Sequence, residues 1–295
     1  MFSTESRNDL SKNLDLKSTK EILEIINNED SKIANKVREK IDEIEKLTDA
    51  VIKVFKEDGH LYYIGSGTSG RLGVLDASET VPTFSVDKNM VVGIIAGGDA
   101  ALRNPIENAE DDEYMAKVDL IKYNFSKNDI LVGITSSGST PYVLGALKYA
   151  KDLGSKTGSI SCNLDSIVSK YSDYPVEIDT GSEVLTGSTR MKAGTATKMV
   201  LNMISTTAMA KIGKVYDNLM VDLKVSNKKL EDRALRIIKE ICKINNDEAE
   251  YYLKKSNYSV KHAIVMANKN VTFSEAEEIL EKNDGFLRGE KNDIR

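Results

Sequence analysis

Five short apolar runs, separated by glycine- and serine-rich turns, constrain this chain more than anything else in it: LYYIG (61–65), MVVGIIA (90–96), DILVGIT (129–135), TGSISC (157–162) and PVEID (175–179). Runs of this length without strict polar alternation suit strands buried on both faces, as in a parallel sheet. Parallel strands need crossover connections, and most of the intervening segments are long enough to carry helices. The clearest runs from Pro141 to Leu153, with Thr140 as cap and Pro141 in the first turn. The pattern predicts a doubly wound α/β sheet, which binds ligands beyond the carboxyl ends of its strands.

Helical texture flanks the sheet. Ser18 or Thr19 caps a segment running to Asn28, and a second, longer amphipathic stretch extends from about Ser31 to Glu57. Beyond the last strand a long helix is expected from about Thr189 to Lys211, then a charged tail from Ser226 without strand signals. Three or so short helices fit this tail; the last starts near Ser274 with Glu277 three residues on, a capping-box spacing, and stops before Gly285. The expected organisation is helical arms over 1–58, an α/β domain over 59–225 and a small helical subdomain over 226–295.

Composition removes several classes of function. With 40% hydrophobic and 29% charged residues among 295, the chain has a globular balance. Its most apolar helical stretch, Met199 to Ile212, is interrupted by Asn202, Ser205, Thr206, Thr207 and Lys211 and is too short for a bilayer. The opening MFSTESRNDL lacks the apolar core of a signal peptide, and two distant cysteines argue for a reducing, cytoplasmic setting. A net charge of -5 and the absence of tryptophan argue against a nucleic-acid surface. Histidine is scarce: His60 sits at the entering end of the first strand, and His262 in the tail has no metal-ligand spacing around it. Acid-base chemistry therefore falls first to carboxylates.

Five segments, two of them acidic clusters, carry candidate chemistry. GSGTSGR (65–71) formally satisfies GxGxxG, but no acidic residue ends the second strand to hold a ribose, and no GK[ST] follows. What remains is a strand-to-helix turn with Ser66, Thr68 and Ser69 beside free backbone N–H groups, which suits a phosphate monoester. GITSSGSTP (133–141) repeats the design after another strand, with Ser136, Ser137, Ser139 and Thr140 in a turn that needs one cap. Two acidic clusters follow, DASE (76–79) and NPIENAEDDE (104–113); in the second, Asn104 and Glu107 suit a helix start, while Glu110 and Asp111 exceed that need. Finally, GSEVLTGSTRMKAGTATK (181–198) sets Arg190 and Lys192 near a helix start, where an anion must offset them; Glu183 is one choice and a ligand another.

Together these segments resemble the sugar isomerase (SIS) family and, within it, the N-acetylmuramic acid 6-phosphate etherases. The resemblance runs through IGSGTSGRLGVLDASE, VVGIIAGGDAALRNPIENAEDD, VGITSSGSTPYV, GSEVLTGSTRMKAGTATKMVLNMIST and NLMVDLKVSN. It implies a three-layer α/β/α sandwich with a five-stranded parallel sheet, a small C-terminal helical subdomain of UBA-like type, and a homodimer. It also implies phosphate recognition by Thr68, Ser69, Ser137 and Ser139 with Ser66 and Ser136 nearby, and catalysis by Glu79 of DASE and Glu110 of ENAED. Many family members carry arginine where this chain has Ser139. Arg190, Lys192 and His262 become candidates for phosphate or lactyl carboxylate contacts, some across a dimer interface.

The activity so implied is that of a carbon-oxygen lyase of cell-wall sugar recycling: MurNAc 6-phosphate and water give GlcNAc 6-phosphate and D-lactate, with no metal or cofactor. One glutamate acts as acid and the other as base, in either assignment. Two other readings stay open at this stage. One is a non-catalytic sugar-phosphate sensor of the glucokinase regulatory type, although those carry two SIS units and one is found here. The other is an aldose-ketose isomerase, which shares the C2 proton chemistry.

Overall fold

A computed structural model describes residues 3–223, 225 and 227–288. The chain divides into two compact units, one of Met1–Ser78 with Asn89–Ser205 and one of Glu79–Lys88 with Thr206–Arg295. The tail boundary expected at Ser226 lies outside the described residues.

The first unit opens with helices α1 (Thr19–Asp30), α2 (Ile33–Arg38) and α3 (Ile41–Lys56). Ser18 caps α1 in a full capping box with Glu21. The single amphipathic helix expected over 31–57 is two helices, because the charges fit two dipoles better than one. Lys36 and Arg38 end α2, and Asp42 and Glu43 start α3.

Next come β1 (Leu61–Gly65), α4 (Gly67–Phe84), β2 (Val91–Ile95), α5 (Ala100–Arg103), α6 (Glu113–Lys122), β3 (Ile130–Thr135), α7 (Pro141–Leu153), β4 (Lys156–Ser161), β5 (Tyr174–Glu177) and α8 (Lys192–Lys211). The five strands are parallel in the order β2-β1-β3-β4-β5. β1 and β3 are buried along their whole length, as their unbroken apolar runs require. On one face Tyr62, Ile64 and Leu131 pack with Val143 and Leu147 of α7. On the other, Leu47 of α3 occupies the space a side chain at Gly158 would need, beside Val132. Helices thus cover both faces, giving the expected three layers. Among the described residues no helix is long and apolar enough to cross a membrane.

Thr140 holds the N-cap position of α7 but its side chain does not cap; its hydroxyl lies 2.7 Å from that of Thr135 instead. The helix expected from Thr189 begins at Lys192, because Ser188–Met191 are drawn into turns and the Glu183 carboxylate takes the first helical N–H groups, those of Lys192 and Ala193, at 3.0 and 2.9 Å.

The second unit holds a hairpin the sequence did not disclose, β6 (Val215–Tyr216) against β7 (Leu219–Met220), turning at Asp217 with φ 54°. Helices α9 (Lys228–Cys242), α10 (Asn246–Lys255), α11 (Val260–Lys269) and α12 (Phe273–Lys282) follow and share one apolar core. The box capping α12 is Thr272 with Glu275, two residues earlier than the Ser274 and Glu277 expected. This places Phe273 in the first turn, where it packs against the core with Val271.

Candidate active site

The carboxyl edge of the sheet gathers most of the hydroxyl groups singled out from sequence. α4 starts immediately after β1, and the turn between them depends on two glycines. Gly67 has φ +51°, which disfavours a side chain. At Gly70 a Cβ would sit 2.6 Å from the Gly65 carbonyl oxygen and 2.7 Å from Ile95 Cγ1. Strand and helix backbones therefore meet closely enough to aim the α4 N-terminus along the sheet edge, and its dipole and unpaired N–H groups favour an anion there. Gly70→Ala is expected to destabilise the fold by about 1–3 kcal/mol through overpacking, read as a lower urea midpoint at unchanged m-value.

Around this turn Ser69 is buried and Thr68 half-buried, while Ser66 donates from Oγ to Glu110 Oε2 at 3.0 Å. Glu110 is exposed on a 3-10 turn, Ala109–Asp111, entered through Asn108 at φ 58°. Ser66, Gly67, Arg71, Glu107 and Glu110 line a cavity of about 210 Å³. Arg71, which sequence reasoning passed over, braces this wall by donating from Nε to the Leu102 carbonyl at 3.1 Å and from Nη2 to the Ala101 carbonyl at 2.7 Å. Its only sequence signal was its place at the end of GSGTSGR.

The turn after β3 binds itself together. Ser137 Oγ accepts from the Ser139 N–H and hydroxyl, both at 3.3 Å, and lies 3.2 Å from Thr135 Oγ1. The Ser136 carbonyl accepts from the Cys162 N–H at 3.1 Å. The start of α8 reaches the same region: a Cβ at Gly194 would lie 3.5 Å from Thr68 Cγ2. Ser66 and Glu110 thus meet in one place, Thr68 lies beside the start of α8, and Ser136, Ser137 and Ser139 share one turn.

The cations behave differently from each other. Arg190 is exposed. Lys192 is 4% exposed, and its ammonium pairs with Glu29 Oε2 at 2.6 Å. Glu29 also takes hydrogen bonds from Lys32 and, at 2.9 Å, from Asn8. Burial alone would raise the Glu29 pKa, but the hydrogen bonds from Lys192, Lys32 and Asn8 outweigh it and hold the group at about 2, below its ordinary 4.5. The folded value is depressed, so this stabilisation is complete above pH 4.5 and fades as pH falls toward 2. Melting temperatures recorded from pH 5 down to 2.5 should fall more steeply in the wild type than in Glu29→Gln.

Two expected site residues lie in the second unit. Glu79 is exposed on the stretch of α4 that belongs to that unit. His262 stacks on Phe273 with ring centroids 4.6 Å apart, and its Nδ1 lies 2.7 Å from the hydroxyl of Ser259, the α11 cap. Burial lowers its pKa below the ordinary 6.5 against the opposing pull of Glu277 and Asp222. His60 pairs through Nδ1 with Asp129 Oδ1 at 2.8 Å, just before β1 and so at the strand end away from the turns.

Known proteins share both the architecture and the sequence. Residues 43–151 match the glucokinase regulatory protein N-terminal SIS domain, residues 108–207 the SIS domain, and residues 217–263 the C-terminal lid domain of glucokinase regulatory protein. The solved phosphoheptose isomerase of Neisseria gonorrhoeae superposes with a TM-score of 0.50 at 15% identity, over 65% of this chain and all of its own, which speaks for the fold alone. An N-acetylmuramic acid 6-phosphate etherase of Exiguobacterium is 50% identical across 97% of this chain and 98% of its own length. Another, from Geobacillus, is 51% identical across 97% of both. At that identity, over nearly the whole of both chains, this chain belongs to the N-acetylmuramic acid 6-phosphate etherase family.

Proposed function

We propose that the chain cleaves the D-lactyl ether at C3 of MurNAc 6-phosphate, giving GlcNAc 6-phosphate and D-lactate. The observation that supports this reading most is the hydrogen bond from Ser66 to Glu110: a carboxylate, the group acid-base chemistry needs, lies beside a strand-to-helix turn whose hydroxyls and N–H groups suit phosphate. The hydroxyls of Ser66, Thr68, Ser69, Ser136, Ser137 and Ser139, with the α4 N-terminus, hold the phosphoryl end.

An ether oxygen is a poor leaving group, so direct displacement at C3 is slow. Opening the sugar ring exposes the C1 aldehyde, which acidifies the C2 proton. Glu110 removes that proton, the C3–O bond breaks, and Glu79 as the acid gives a proton to the departing lactyl oxygen. Water then adds at C3 of the unsaturated aldehyde, with Glu79 as base, and C2 regains a proton before the ring closes. Atoms and charges balance with water as the only co-reactant. Arg190, exposed just before α8, is suited to the lactyl carboxylate; Lys192, paired with Glu29, and His262 are the other candidates for phosphate or lactyl carboxylate contacts that the family resemblance supports.

The family resemblance supports a homodimer, which sedimentation equilibrium checks, and two unpaired cysteines, Cys162 and Cys242, suit a reducing cytoplasm. An enzymatic lactate assay on the purified chain tests the activity. Release of one lactate per MurNAc 6-phosphate consumed supports it; an inert protein, or conversion of a hexose 6-phosphate to its keto isomer instead, defeats it.

A further inference from the structure

Asn163, two residues past β4, uses every hydrogen-bonding position of its side-chain amide. Nδ2 donates to the Ser136 carbonyl at 2.9 Å and to Thr4 Oγ1 at 3.0 Å, while Oδ1 accepts from the Thr4 N–H at 3.3 Å and lies 3.0 Å from Ser3 Oγ. Ser3 Oγ also lies 2.9 Å from Asp179 Oδ1, so its one proton is shared between two acceptors. Thr4 is 0% exposed and Asn163 2%. Residues near a chain end are commonly loose unless tied down; these are tied into the edge of the sheet.

The segment is held at its other end as well. Asn8, also buried, donates from Nδ2 to the Ser182 carbonyl at 3.1 Å and to Glu29, the partner of Lys192 in the first turn of α8. Residues 3–8 therefore run between two fixed points, the turn after β3 and the start of α8. A buried tie that only stabilised the fold could end anywhere on the sheet. This one ends on the backbone of Ser136, in the hydroxyl-rich turn at the carboxyl edge of the sheet.

We propose that the segment from Ser3 to Asn8 is a working part of the sugar-phosphate site, with Thr4 and Asn163 as positioning residues. Held by Asn163 together with the Cys162 N–H, the Ser136 carbonyl fixes the turn, and the hydroxyls of Ser136, Ser137 and Ser139 are aimed at the phosphate before it arrives. Without the Thr4 hydroxyl, one N–H of Asn163 loses its acceptor, and the amide holds the Ser136 carbonyl less firmly. The inference rests on the reading of that turn as a phosphate site.

Calorimetric titration with GlcNAc 6-phosphate, alongside thermal melts, tests it. Thr4→Val keeps the shape and removes the acceptor; it should bind about tenfold more weakly, the effect of roughly one buried hydrogen bond. Thr4→Ser restores the hydroxyl and should bind within about twofold of wild type. Ser3→Ala, at a half-buried position that tolerates truncation, should weaken binding about two- to fivefold and carries the test if Thr4→Val does not fold. Binding within twofold of wild type in both Thr4→Val and Ser3→Ala, whatever their melting temperatures, overturns the proposal and leaves the phosphate site intact. A wild type that does not bind GlcNAc 6-phosphate overturns both.

Discussion

Glu110→Gln should lower lactate release from MurNAc 6-phosphate by about 10²- to 10⁴-fold, the usual contribution of a positioned general base, with the fold undisturbed. Glutamine keeps an acceptor oxygen for the Ser66 hydroxyl, and the side chain is exposed, so no buried group is orphaned. The melting temperature should stay where it is in wild type. Binding of GlcNAc 6-phosphate should change little, because the contacts proposed for the phosphoryl end are hydroxyls and backbone N–H groups. The loss belongs in kcat, since glutamine cannot accept the C2 proton. A variant that keeps full activity, or loses product binding in proportion to activity, removes Glu110 from the proposed role.

Lys192→Met should cost about 3–5 kcal/mol of stability, because removing one partner of a buried ion pair leaves the other charge uncompensated. Both side chains are 5% exposed and lie 2.6 Å apart. Glu29 retains Lys32 and Asn8, which places the cost toward the lower end. The double variant Glu29→Leu with Lys192→Met should recover much of the loss, since an apolar pair of similar volume carries no desolvation penalty. Urea titration of the two single variants and the double variant completes the cycle. A Lys192→Met cost under about 1 kcal/mol, the range of exposed pairs, would show that the pair does not hold the start of α8.

The sheet was legible because its strands are buried on both faces and punctuated. Each of the five apolar runs became a strand with ends within about two residues of those expected, since glycine and serine turns stop a run sharply. The hairpin of Val215–Tyr216 with Leu219–Met220 was not legible: two-residue strands show no periodicity. The break between Arg38 and Ile41 hid for a related reason, since Val37, Ile44 and Leu47 keep one helical phase across it and only the order of charges marks the interruption.

At the site, local signals and distant pairings parted company. Hydroxyl-rich turns announce themselves over a few residues, so Ser66, Thr68, Ser69, Ser137 and Ser139 could be named. That Ser66 would meet Glu110, 44 residues on, followed only from where β2 and its following loop lie beside β1. The partner of Lys192 was expected to be Glu183 or a ligand. Glu183 instead serves the backbone N–H groups of Lys192 and Ala193, and the ammonium goes to Glu29, 163 residues away on an unremarkable helix. Asn163 and Thr4 left no trace, because an amide that closes a network looks like any other asparagine in a turn.

Elimination and then hydration break the bond between C3 of the sugar and the lactyl oxygen. Turnover of MurNAc 6-phosphate in H₂¹⁸O, with mass spectrometry of both products, shows which bond was cut. Cleavage at C3 leaves ¹⁸O at C3 of GlcNAc 6-phosphate and, after correction for exchange at the lactate carboxylate, lactate that keeps the original ether oxygen. Heavy oxygen in the lactate hydroxyl, with none at C3, would place the cleavage on the other side of the ether and contradict elimination at C3.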